Sequence, residues 1–338
     1  MKKNKIIIDA SFILLLLLLV SSVKTEKAYC WGPITHIYIC ETALKQIKDS
    51  GQTSTLVQII EENYDWFKCG LMYPDVTVLY YYTNWTNYQF THSWYRQNQA
   101  WQVASAKGSR RAMAFTLGWG AHLIQDSVVH NVYIPAKIKG TLIQNNIIHP
   151  LTEGIVETKV INPNFYNYPQ AEEATLTAFN KWNVPFNDGT ELSDLSPVQF
   201  AEQVTGAPPE FEKTASQFYN ILSGGGFGTM SFKGYAFQQQ KGWLWDVYHG
   251  VSKVFAYLMR NEDPSVYINQ AIEVTKTWLL TGDGGSPQNT VGVAGLDPTG
   301  SSALKDADSY VVSVTVLTVV FFVGIVLAVY YYRKKRGE

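Results

Sequence analysis

Apolar residues return at intervals of three and four over 37–48 and, more strongly, over 110–129; the same spacing recurs over 150–161, 171–182, 208–222, 243–259 and 264–280. That interval fits the 3.6-residue turn of an α-helix with one buried stripe, so each stretch is expected to be helical. Gly118 and Gly120, inside the 110–129 pattern, leave room for a neighbouring element to come close. Period-two alternation, the mark of a half-buried strand, is scarce. The expected fold class is therefore all-α, with one multi-helix domain over 31–280.

The two ends break this pattern. Lys2, Lys3 and Lys5 precede an apolar run over 11–20, and Ala28-Tyr29-Cys30 offers small residues for cleavage, so 1–30 is expected to be a signal peptide. At the other end, 311–330 is a run of twenty residues without a charge. As a helix it is long enough to cross ~30 Å of hydrocarbon. Arg333, Lys334, Lys335 and Arg336 follow it at once. The expectation is a transmembrane helix over 310–332, a basic cytoplasmic tail over 333–338 and a body outside the cell. An apolar tail with a basic cluster is also the form of some cell-surface sorting signals, in which the tail is exchanged for an anchor. Residues 281–309, rich in Gly, Pro, Ser and Asp, read as a flexible linker that lifts the body off the membrane.

Setting the ends aside changes the charge. The whole chain has 27 basic and 28 acidic residues, but 31–332 holds 18 basic against 25 acidic, a net of −7. An acidic body is not an obvious partner for nucleic acid. Of the three cysteines, Cys30 would leave with the signal, and Cys40 and Cys69 are expected to pair as a disulfide in an oxidising compartment.

The candidate chemistry lies in the histidines. Five of the six fall between His36 and His149, in the series Trp31-Gly32-x-x-x-His36, Tyr73-Pro74-Asp75, His92, His122-x-x-x-Asp126-x-x-x-His130 and His149-x-x-x-Glu153. Residues four apart share a helix face, so His122 and Asp126 project together, with His130 a turn further on and His149 with Glu153 on a second helix. Taken singly, a His-x-x-x-Asp pair is more often an ordinary polar surface than a ligand set. Taken jointly, the series holds more donors than one metal ion can use, and clustered imidazoles and carboxylates suit zinc. His249, alone in the rest of the chain, reads as structural or surface. The aromatic run 80–88, between Asp75 and His92, reads as a loop packed on the body, with a lipid-facing loop as the alternative. Within it, Asn84-Trp85-Thr86 fits a glycosylation acceptor.

These motifs resemble the zinc-dependent phospholipases C and, more distantly, the zinc-dependent single-strand nucleases of the same superfamily. The resemblance covers about residues 31–157. It implies a first zinc held by Trp31, through its free amino group and carbonyl, with His36 and Asp126. It implies a second held by Asp75, His92 and His122, bridged by Asp126, and a third held by His130, His149 and Glu153. Asp75 is then the candidate to orient or deprotonate the attacking water. Two features depart from the family pattern: His130 follows Asp126 by four residues where the family places it six later, and the interval from His92 to His122 is short. The implied activity is a membrane-anchored, extracellular phospholipase C, which uses zinc-activated water to cut the glycerol–phosphate bond of phospholipids. The alternatives are a zinc-dependent nuclease or phosphodiesterase, the one reading in which nucleic acid is a partner, and a non-catalytic surface module that binds zinc.

Overall fold

The computed structural model describes residues 33–75, 89–134, 181–206 and 263–285, with residues 156, 159, 160, 166, 168, 178 and 298. Among these, all regular structure is helical and no strand occurs. The helices are α1 (Pro33–Asp49), α2 (Thr55–Glu62), α3 (Tyr64–Met72), α4 (Trp94–Ala106), α5 (Arg110–Val128), α6 (Pro197–Thr205) and α7 (Ser265–Thr281). Val156, Lys159 and Val160 are also helical, inside the 150–161 expectation, as is Ala178 inside 171–182. The expected signal peptide, the aromatic run, the helices at 208–222 and 243–259 and the span at 310–332 lie outside the described residues. No helix among the described residues is long and apolar enough to cross a membrane.

Helix α5 is the axis of the domain. Every residue from Ala114 to Val128 is buried, so beyond its first turn this helix has no solvent face and is enclosed by its neighbours. Ser109 starts it: the hydroxyl accepts from the Ala112 amide at 3.2 Å, one of the donors a helix start leaves unpaired. Two glycines let α3 cross α5 backbone to backbone. A Cβ at Gly70 would lie 1.8 Å from the Phe115 carbonyl oxygen, and one at Gly118 would lie 2.0 Å from that of Phe67. Gly120 makes room for the ring of Trp278 on α7. Helix α7 is held to α2 as well, through the Ser54 hydroxyl, which donates to the Leu279 carbonyl at 2.6 Å.

Behind the end of α3, aromatic rings form a continuous wall. Phe115, Phe186 and Phe200 meet edge-on or tilted, and Tyr73 stands against Phe115 at 5.3 Å and Trp119 at 4.7 Å between centroids. Such contacts prefer tilted geometry and add to the burial of large apolar rings. The wall fixes Tyr73 and therefore aims the residues that follow it, Pro74 and Asp75.

Helix α6 carries Phe200 into that wall, and its start is a capping box. The Ser196 hydroxyl accepts from the Gln199 amide, the Gln199 side chain accepts from the Ser196 amide, and Pro197 opens the first turn. Ser196→Ala is expected to cost about 1 kcal/mol of stability. Chemical unfolding of the two proteins checks this, with metal content expected to stay the same.

The expected disulfide between Cys40 and Cys69 is corrected: both are free and buried thiols. Burial pushes both thiols well above their ordinary range. The physical reason is one of placement. Cys40 faces α5, where its sulfur accepts from the Gln125 side-chain amide at 3.0 Å. Residues 282–285 and 298, inside the stretch read as a linker, lie against the body. The Gly284 carbonyl accepts from Gln97 at 3.0 Å, and Pro298 is buried.

Candidate metal centre

Four elements converge on one buried point. Helix α1 brings His36, the segment after α3 brings Asp75, the residue before the α4 cap brings His92, and α5 brings His122 and Asp126. The rings of His36 and His122 stack with centroids 4.0 Å apart. Asp126 lies among the histidines: its Oδ1 is 3.4 Å from His36 Nε2, and its Oδ2 is 3.3 Å from His92 Nε2 and 3.1 Å from His122 Nε2. Asp75 Oδ1 lies 3.8 Å from His122 Nε2. Two ligand groups result, His36 with Asp75 and His122, and His92 with His122 and Asp126; within each, the donor atoms lie within 4.8 Å of one another.

The other ring nitrogen of each histidine is engaged. His122 Nδ1 donates to the Leu71 carbonyl at 2.8 Å. His36 Nδ1 donates to Gln125 Oε1 at 2.6 Å. The Thr91 hydroxyl donates to the Pro74 carbonyl at 3.0 Å, so its oxygen is left to accept from His92 Nδ1 at 3.2 Å. The Thr91 carbonyl in turn accepts from the Trp119 indole at 2.6 Å. With each Nδ1 donating, the Nε2 atoms turn inward toward Asp126. This is the outer-shell arrangement that orients metal-ligating imidazoles.

The electrostatics test whether a cation fits. Burial holds the His36 imidazole down at about 3, reinforced by His122, so His36 is neutral and presents a lone pair at Nε2. That lone pair faces the lone pairs of Asp126. His36 Nε2, His122 Nε2 and both Asp126 oxygens are buried and make no hydrogen bond of good geometry. Burial opposes the charge on Asp126, yet His122, with contacts from His122 and His92, holds its carboxyl well below the usual carboxylate range. Burial likewise opposes a charged His122, but Asp126 and Asp75, with contacts to Asp126 and Leu71, raise it overall. A buried carboxylate surrounded by acceptor atoms needs positive charge, from a proton on His122 or from a bound cation. The donor set of imidazole nitrogen and carboxylate oxygen fits zinc.

His130 stands apart from both groups. It lies in a wide helical turn, Val129–Tyr133, that continues α5. Its Nδ1 donates to the Pro298 carbonyl. Trp31, His149 and Glu153, the other expected ligands, lie outside the described residues. Gln125, Thr91 and the Leu71 carbonyl were not singled out in the sequence, although each fixes a ring. Gln125 and Thr91 are each adjacent to a ligand in sequence, the one local signal that marks them.

The described residues form an all-helical domain in which buried imidazoles and carboxylates gather around one central helix, in groups that could hold a metal ion. Residues 35–187 match a protein-family model described as zinc dependent phospholipase C. This is the family that the motifs resemble. Neither a curated protein nor a solved structure matches the chain significantly.

Proposed function

We propose that this chain is a zinc-dependent phospholipase C that cuts the glycerol–phosphate bond of phospholipids, held at the outer face of a membrane by the apolar segment 310–332. The observation that carries the reading is the convergence of three histidine Nε2 atoms on Asp126, which places both oxygens of one carboxylate between ligand groups. A carboxylate so placed can serve two ions at once. The full ligand set, with Trp31, His130, His149 and Glu153, would serve three. Zinc bound there would supply Lewis-acid stabilisation of a phosphoryl group and would acidify water.

The chain's own residues have separate roles in this scheme. His36, His92, His122 and Asp126 are fully buried and hold the centre. Asp75 has 12% of its side chain exposed where Asp126 has none, so it stands at the solvent edge of the cluster. That position suits it to orient the attacking water and take its proton. Tyr73, wedged between Phe115 and Trp119, keeps Asp75 at that edge.

The test uses full-length protein in mixed micelles of phosphatidylcholine and detergent. The expected result is release of the phosphorylated headgroup, lost on chelation and restored by zinc. Single-stranded DNA offered to the same preparation should yield no nucleotides. Nucleotide release without headgroup release would overturn the lipid substrate in favour of a nuclease. Full zinc occupancy with neither product would overturn catalysis in favour of a binding module.

A further inference from the structure

The structure assigns Gln125 a positioning role: oriented by Cys40, it holds His36 in the tautomer that leaves Nε2 bare for metal. This rests on the reading of His36 as a ligand. A buried imidazole has two neutral tautomers, and only one presents a lone pair toward Asp126. The choice is made at Nδ1, which lies 2.6 Å from a Gln125 amide atom and has no access to solvent.

Gln125 alone cannot make that choice. Its side-chain amide offers an oxygen on one side and an NH2 group on the other, and a half-turn about the last bond exchanges them. With the oxygen toward His36, Nδ1 carries the proton and Nε2 is free to bind metal. With the NH2 toward His36, Nδ1 must accept, and the proton moves to Nε2, where it points at Asp126 and blocks the ligand position. Cys40 stands at the far end of the amide, where its sulfur accepts from Gln125 Nε2 at 3.0 Å. The first orientation is the one in the structure, with the NH2 end at Cys40 and the oxygen at His36. Cys40 and His36 both lie on α1, four residues apart and on one face, so the helix holds the two ends of the amide at a fixed separation.

All three side chains are buried, so no water competes for the amide. An amide atom left unpaired there would carry its full desolvation cost, which makes the orientation selective. The other two inward-facing histidines are set differently, by the Leu71 carbonyl and by the Thr91 hydroxyl. His36 is the one of the three whose tautomer depends on a side-chain amide, held at its far end by the Cys40 thiol.

The test is metal affinity of the full-length protein, read by competition with a chelator for zinc and by the visible absorption of bound cobalt(II). Gln125→Leu should weaken binding by about 10- to 100-fold, the scale of outer-shell changes. Cys40→Ala should weaken it in the same direction, and Cys40→Ser, which keeps an acceptor, should restore it. His36→Ala is the reference. If His36→Ala loses metal while Gln125→Leu and Cys40→Ala bind as the parent does, the positioning role is overturned and the ligand reading stands. If His36→Ala itself binds metal undiminished, the ligand reading falls, and the inference falls with it. The Cys40 pair keeps the test decisive should Gln125→Leu fail to fold.

Discussion

Asp126→Asn is expected to empty both ligand groups together and to abolish headgroup release. The two carboxylate oxygens face different partners, with Oδ1 toward His36 and Oδ2 toward His92 and His122. An amide is neutral and keeps only one acceptor oxygen, so neither an ion shared through both oxygens nor the buried negative charge survives the change. Loss of rate should exceed about a hundredfold, because substitutions one shell further out already cost 10- to 100-fold. The fold should persist. The new NH2 group can donate to one of the inward Nε2 atoms, which relieves part of the crowding of lone pairs at the centre. Metal content by mass spectrometry and unfolding of the metal-free proteins check the two halves of this prediction. Retention of one ion at full occupancy would show that Asp126 serves a single site.

The second large effect lies outside the ligands. Gly118→Ala would place a methyl group 2.0 Å from the Phe67 carbonyl oxygen and 2.6 Å from the Leu71 amide nitrogen. Both obstacles are backbone, so α3 must move away from α5 as a unit. Overpacking of this kind costs about 3 kcal/mol at the upper end of its usual range. The displacement also carries off the Leu71 carbonyl, which accepts from His122 Nδ1 at 2.8 Å. Gly118→Ala is therefore expected to lower stability and metal affinity together. Gly51→Ala is the control. Gly51 has φ of 68°, and a Cβ there would meet nothing within 4 Å, so its substitution is strained in backbone only. It should cost about 1 kcal/mol and leave metal binding unchanged. Calorimetry with and without zinc separates the two cases, and equal zinc stabilisation in Gly118→Ala and the parent would count against the coupling.

The parts of the fold that read clearly from the sequence are those with a long apolar stripe. Residues 37–48 lie within α1, 110–129 correspond to α5, and 264–280 correspond to α7 shifted by one residue. Four helices lack that mark. Helix α4 buries only Gln97, Ala100 and Ala104 along its inner side, so no strong apolar period distinguishes it. Helix α3 is buried continuously over Trp66–Met72, and α2, with its stripe of Leu56, Val57, Ile59 and Ile60, is too short for that stripe to repeat. Helix α6 was not among the expected helices, although Ser196-Pro197-x-Gln199, a capping box with proline in the first turn, marks its start. Serine caps also open α2, α4 and α5.

The site divides in the same way. His122 and Asp126 could be paired from a four-residue interval on one helix. That His36, Asp75 and His92 join them depends on three separate elements crossing α5, and no local spacing contains that information; the family resemblance supplied it. The outer shell was not legible at all. A backbone carbonyl such as that of Leu71 has no sequence signature, and a glutamine gains its meaning only from the thiol and the imidazole on either side of it. The disulfide expectation failed for a related reason: a count of cysteines does not show that one sulfur is committed to an amide.

Anomalous diffraction at the zinc absorption edge, from crystals of the protein, tests the shared role of Asp126 most directly. Zinc peaks are expected within coordination distance of Asp126, one on the Oδ1 side with His36 and one on the Oδ2 side with His92 and His122. Absence of a peak among these side chains from zinc-loaded protein, or zinc found only elsewhere, would contradict it.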